Sequence, residues 1–384
     1  MATVNQIYTM VNDSAKESLG MQAITVKDTG TLVSLGDVVL SSSTNKEKFY
    51  NALVDRVGRT VIAVRQYRPK DRSVKRDEME WGLIYQKISF KQHYAVENPS
   101  WDSATQADPF DVEVSTEAVQ KLFTKLGTYN FEDSIPDYQL FTAFTSAERM
   151  GAFISGIYIN MDNALAQAEE NLANLAVDTA IAGILIKGKA SQKRNLLSEY
   201  NSLFNTSLTA SDCIFNEGFL KYASREINTV VKNMRSLSTI YNAEDIPRHT
   251  PDENLVVEIL GQFASATASY LESSTYHNEL VKLPRYEEVT YWQASGEDFS
   301  FESTSTINIK NSELATAGNA DGEIEQSGII AYVHDYDAVA SIIYKRRSSS
   351  NYNPRAERYN IFEKADKGYA VDLSENGVVF YIAD

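Results

Sequence analysis

The chain has 384 residues and a single cysteine, Cys213, so no disulfide framework can form within it, which fits a reducing compartment. Its composition, 43% hydrophobic and 23% charged, is that of a globular protein with a core to bury. A formal net charge of -16 argues against a dedicated DNA or RNA binder, because phosphate neutralisation dominates such affinity.

The first stretch, MATVNQIYTMVNDSAKESLG, lacks the basic start and apolar run of a signal peptide. No stretch reaches the roughly 18 apolar residues of a membrane span. Residues 1–45 mix short β-rich pieces with Gly, Ser and Thr, which predicts an extended arm lying on another surface. Phe49, Leu53, Val54 and Val57 recur at helical spacing, and Gly58 stands where that helix stops. TVIAVRQY (60–67) and WGLIYQKISFKQHYAVE (81–97) read as strands. Between them lies RPKDRSVKRDEMEWG (68–82), with five basic residues against four acidic ones, the tip of a long hairpin spanning 60–94. Such a hairpin is unstable without a surface to lie on.

DVEVSTEAVQKLFTKLGTYN predicts a short helix with Val119, Leu122, Phe123 and Leu126 on one face. A far longer helix follows, about 145–187, opened by Thr145 and Glu148 as a capping box. Its apolar positions, from Met150 and Phe153 to Leu175 and Ala176, keep one face, and about 40 residues would span about 60 Å. LLSEYNSLFN and NEGFLKYASREINTVVKNMRSL add two helices. After IPRHTPDE the texture turns to strands: NLVVEIL (254–260), HNELVKL, GIIAYV, VASIIYK, GYAVDL and GVVFYIAD. Residues 295–328, rich in Gly, Ser, Thr, Asn and acids, form an exposed insertion.

Nucleotide, zinc-protease and nucleophile-elbow motifs are lacking. His334, Asp335 and Asp337 are the nearest thing to a metal cluster, and a turn after a strand explains them more simply. Cys213 reads as a buried small side chain at a helix start rather than a nucleophile. No catalytic residue, metal site or cofactor is expected. Twenty-two tyrosines suit contact surfaces.

Three stretches, FYNALVDRVGRTVI, EWGLIYQKISFKQHY and FTAFTSAERMGAFISGIYINMDNALAQAEENLANLAVD, carry a family resemblance in their order along the chain. PDENLVVEIL to HNELVKLP supports it. The chain resembles the major capsid proteins of tailed bacteriophages with the Hong Kong 97-type (HK-97-like) fold, and more narrowly those of phi-29-type podoviruses and gut phages. It departs from the former in ending at GVVFYIAD, without an appended immunoglobulin-like domain.

The resemblance implies an α+β fold: an N-arm (1–48), a helix and extended loop (49–98), a peripheral domain with a spine helix (99–245), an axial domain carrying the insertion (246–334) and returning C-terminal strands (335–384). It implies self-assembly as pentamers and hexamers into an icosahedral head around double-stranded DNA, held only by weak non-specific contact. The partners are further copies of the chain, a scaffolding protein during assembly and a portal protein at one vertex, with no membrane. The resemblance further implies assembly in the host cytoplasm and a place in the virion. Arg68, Lys70, Arg72, Lys75, Arg76, Asp77, Glu78 and Glu80 are expected to meet a neighbouring subunit, the arginines pairing with its carboxylates. Tyr67, Trp81 and Tyr85 are expected to pack between arm and loop. An encapsulin-like compartment shell and a soluble enzyme with a site near His334 are the alternatives.

Overall fold

The computed structural model describes residues 4–20, 24–49, 52, 72–76, 85–90, 95, 117–123, 126–137, 147–269, 283–292, 306–310 and 323–384. The N-terminal residues form helices rather than a β-rich arm. α1, Val4–Leu19, buries Ile7, Val11 and Ala15 at four-residue spacing. α2, Thr29–Leu40, starts at Asp28, whose carboxylate accepts from the Thr31 backbone N–H at 2.8 Å. The Thr31 hydroxyl accepts in return from the Asp28 N–H at 3.0 Å, which closes a capping box. Leu32, Leu35 and Val39 then fall on one buried side. Spacing and cap together outweigh the β-branched content that suggested strands.

Short strand β1, Lys75–Arg76, is followed by β2, Tyr85–Phe90, whose described partner is β3, Ala118–Phe123. β3 and β4, Leu126–Pro136, replace the short helix expected there. The backbone of 118–123 bonds to β2, and alternate side chains face opposite ways, a period of two that overrides the apparent helical one. The other expected arm of the hairpin, 60–67, lies outside the described residues, as does the expected cap Thr145.

α3, Ala147–Lys187, is 41 residues long and continues through Gly156. Then come β5, Lys193–Asn195, α4, Leu196–Phe204, and α5, Glu217–Met234. Asn195 and Asn216 cap α4 and α5 by accepting from the Ser198 and Phe219 N–H groups. The remainder is β6, Leu255–Leu260; α6, Gly261–Thr267; β7, Glu287–Val289; β8, Ile307–Lys310; β9, Glu323–Gln326; β10, Ile329–Asp335; β11, Val339–Asn353; β12, Arg358–Val371; and β13, Gly377–Tyr381.

The chain divides into two compact units, each drawn from separated segments. The first takes Met1–Asp71, Gly127–Glu170 and Ile343–Lys367. Its core joins α1 and α2 to Ile135 of β4 and to Tyr359 and Ile361 of β12. The second takes Arg72–Leu126, Asn171–Ile342 and Gly368–Asp384. Its sheet runs β5-β13-β10-β6-β7, with β10 antiparallel to both β13 and β6 and each edge strand parallel to its neighbour. Every residue of β10 is buried, and its apolar run, residues 329–333, is what a central strand requires.

A contiguous boundary near residue 245 does not describe this division. Ile181 and Ile184 of α3, and Ile227 and Val230 of α5, share one core with β6, β10 and β13. From Asn171 to Ile184 α3 is buried on nearly all sides, which its run of small residues permits. At Gly183 even a methyl group would press on the Leu373 side chain at 3.1 Å. Among the described residues no helix is long and apolar enough to cross a membrane.

Candidate functional site

The described part of the charged stretch, residues 72–76, is bound into the second unit. Arg72 lies buried with Nη2 2.5 Å from Glu258 Oε1 on β6, and its Nη1 donates to Asn174 on α3. Burial alone would lower the guanidinium pKa, but Glu258, then Asp178 and Glu287, hold it above its usual value. Burial pushes Asp178 well above the carboxylate range, and Arg72 offsets this only in part. Ser73 donates its N–H to the Glu287 carboxylate at 3.1 Å. Arg76 lies 3.5 Å over the Tyr336 ring and donates to the carbonyls of Ser73, Tyr336 and Val339. Ser341 donates to the Val74 carbonyl at 2.8 Å, which joins β1 to the start of β11.

The β2–β3 ribbon follows the same plan. Lys87 and Lys121 stand directly opposite each other, a repulsive arrangement if left alone. Asp372 lies between them, 2.9 Å from Lys87 and 2.8 Å from Lys121. Glu375 takes Lys87 at 2.7 Å and Glu244 takes Lys121 at 2.7 Å. Burial of Asp372 works against its charge, yet Lys87, Lys121 and Ser374 bring its pKa down to about 2. Lys87 is raised in turn: burial opposes its charge, and Asp372 and Glu375 prevail. One face of the ribbon is therefore fastened to its own unit by ion pairs. The opposite face carries Ile88, Phe90 and Leu122, which are 57%, 65% and 54% exposed. Three large apolar side chains on one open ribbon face are the mark of a contact surface.

The arginines expected to reach a neighbour are thus corrected in two cases: Arg72 and Arg76 are consumed within their own chain. They belong to the described middle of the stretch, residues 72–76, where the second unit supplies carboxylates and carbonyls, and a buried guanidinium must be paired locally. Lys75 is on β1 opposite Ser341. Tyr67, Arg68, Lys70, Asp77, Glu78, Glu80 and Trp81 lie outside the described residues, and Tyr85 is described only as the first backbone position of β2. The alternation YQKISF could have marked the apolar face. Nothing local marks Asp372 or Glu375, which lie more than 250 residues from Lys87 in sequence.

The groups weighed for chemistry serve structure. His334 is buried, stacks on Tyr332 at 4.5 Å and sets Nδ1 2.7 Å from the Asp335 carbonyl. Asp335 accepts from the Thr250 hydroxyl at 2.7 Å and from the Asp337 N–H. Burial pushes the Cys213 thiol up to about 11, which leaves it a poor nucleophile. Among the described residues no group of three or more His, Cys, Asp or Glu is placed to hold a metal.

The Phi29-like phage major capsid protein family model matches residues 9–381. A comparison with curated protein sequences found no match. Among solved structures, the chain is similar to one in the capsid structure of Staphylococcus phage Andhra, with a TM-score of 0.55 and 10% identity over 80% of this chain and 83% of that one. It is also similar to a chain in the structure of the head fiber and inner core protein gp22 of native bacteriophage P68, with a TM-score of 0.52 and 10% identity over the same shares. At that identity the likeness is one of fold: the mixed α+β, HK-97-like capsid fold.

Proposed function

The chain belongs to the family of Phi29-like phage major capsid proteins, and from that premise we propose that it closes, as pentamers and hexamers, an icosahedral head around double-stranded DNA. The match over residues 9–381 carries this reading. A major capsid protein is a structural component of the virion, and copies of one chain make its wall. The finer parts of the proposal are a scaffolding protein during assembly, a portal protein at one vertex, assembly in the host cytoplasm and the absence of any enzymatic step.

Closure at two symmetries asks one surface to meet its copies at slightly different angles. Many weak contacts serve this better than one strong one, since each can form and break while their sum holds the finished shell. In this reading the first unit is the peripheral domain and the second the axial domain. The extended loop, with its charges beyond Arg76 and the apolar face of the β2–β3 ribbon, lies on a neighbouring copy. The net charge of -16 suits a wall that does not grip packaged DNA.

The test is negative-stain microscopy of the purified protein, alone and co-expressed with its neighbouring phage genes. Closed shells are expected. A stable monomer under every condition would overturn the reading.

A further inference from the structure

The β11–β12 hairpin is basic in an acidic chain. Residues 345–367 hold seven basic residues against three acidic ones, where the whole chain carries -16. Side-chain contacts sort the two faces of the hairpin. Ser350 Oγ lies 2.9 Å from Tyr359 Oη, and Tyr359 and Ile361 are buried with α1 and α2, so this is the core face. Asn360 donates to Asn351 at 3.0 Å, and Arg347 bonds Asp366 at 2.5 Å, so those positions face outward. Strand alternation places Lys345, Arg358 and Lys364 with them. All three are exposed, and none has a side-chain partner among the described residues. Arg355, in the turn, is exposed as well.

This face is complementary to an anion, and its details choose between kinds of anion. No large apolar side chain of residues 345–367 is exposed, so charge must supply the recognition. The cations are not alone. The Thr128 hydroxyl donates to Asp366 at 2.9 Å, which brings that face of β4, with exposed Glu132, beside them, and Glu357 is exposed in the turn. A uniform phosphate rail would be repelled at those carboxylates. A protein segment with many acids and one cation of its own would not. The chain contains such a segment: SGEDFSFESTSTINIKNSELATAGNADGEIEQ, residues 295–326, holds seven acids and one lysine, Lys310. Its described part is the β8–β9 hairpin, in which Lys310 stands opposite Glu323.

We propose that the outward face of the β11–β12 hairpin binds the acidic insertion, residues 295–326, of a second copy of the chain. This contact rests on the shell reading above. It brings together an exposed basic sheet face and an acidic insertion whose Glu325 is exposed, and it is heterologous: each copy offers one face and one insertion. Contacts of that kind build rings when the rotation closes.

Charge exchange tests it. One variant carries Lys345→Glu, Arg358→Glu and Lys364→Glu; another carries Glu313→Lys, Asp321→Lys and Glu325→Lys. Each alone should lower shell yield several-fold at about 0.1 M salt, where the Debye length is about 10 Å. Both sets in one chain should restore the yield. An equal mixture of the two variant chains should restore part of it, because the reversed face of one then meets the reversed insertion of the other. Thermal unfolding of the face variant should match the parent, since its three positions are exposed. Wild-type yield from either variant overturns the contact. Rescue in the double variant without rescue in the mixture overturns it too, by placing the pairing within one chain. So does a face variant that assembles normally but loses affinity for a short DNA duplex. Failure of the wild type itself to form shells would instead strike at the capsid reading.

Discussion

Arg72 and Glu258 are 8% and 0% exposed, so neither can be removed without leaving its partner charged in the interior. Arg72→Ala should therefore cost about 3–5 kcal/mol of stability. Arg72→Met combined with Glu258→Leu should cost far less, because no orphaned charge remains. Denaturant titration of the subunit under non-assembling conditions measures both. Asp372 sets a pH dependence of definite sign. Its folded-state pKa of about 2 lies below the ordinary 3.8, so its contribution is complete above the higher value and lost as pH falls through the lower one. The gap corresponds to about 2 kcal/mol. Asp372→Asn should remove that part of the acid sensitivity, read as a smaller fall in unfolding midpoint between neutral pH and about pH 3. His334 adds a loss at milder acidity: burial lowers its pKa below 6.5, so its share of stability is complete above that value and declines beneath it.

The β2–β3 ribbon shows how an element can be bound and available at once. Its lysine face is tied by Asp372, Glu375 and Glu244, and its Ile88–Phe90–Leu122 face is open. Replacing these three apolar residues by serine should change subunit stability by no more than about 0.5 kcal/mol per site, as at other exposed positions. Shell yield, counted by microscopy, should fall sharply if a neighbour covers this face. The apolar alternation is legible in YQKISF, but its exposure is not, because period two says that two faces differ and not which one is buried. The long helix is legible because its apolar face persists from Met150 to Ala176, about seven turns. α1 and α2 are legible only in retrospect, through Ile7–Val11–Ala15 and the Asp28–Thr31 cap, since their composition favours strands. The segment 118–123 misleads for the opposite reason: four apolar residues match a helical face, and pairing with β2 decides otherwise.

At the scale of the molecule two classes of charge contact coexist. Pairs inside the subunit, such as Arg72–Glu258, are sheltered from ions, and contacts between exposed surfaces are not. Raising salt from about 0.1 M to about 1 M shortens the Debye length from about 10 Å to about 3 Å. Shells held partly by exposed charge should then lose stability while the subunits keep their unfolding midpoint. Light scattering for assembly and circular dichroism for folding, followed in one salt series, would show whether the two separate. The family is legible from the order of parts along the chain, since a model matching residues 9–381 reads that same order. The division into two units is not, because α3, β11 and β12 each pass from one unit to the other.

What the amino-acid sequence determines alone is local: the long helix, the central strands, the basic and acidic stretches, and the capsid family they spell in order. What the tertiary structure decides is which charges are spent. Arg72 looks like a free cation beside Lys70 and Lys75 until β6, more than 180 residues on, brings Glu258 to it. Side-chain pairing across such a separation has no signature in local spacing. Only the packed sheet and helices determine which cations are neutralised inside the subunit and which, like Lys345, Arg358 and Lys364, remain at its surface.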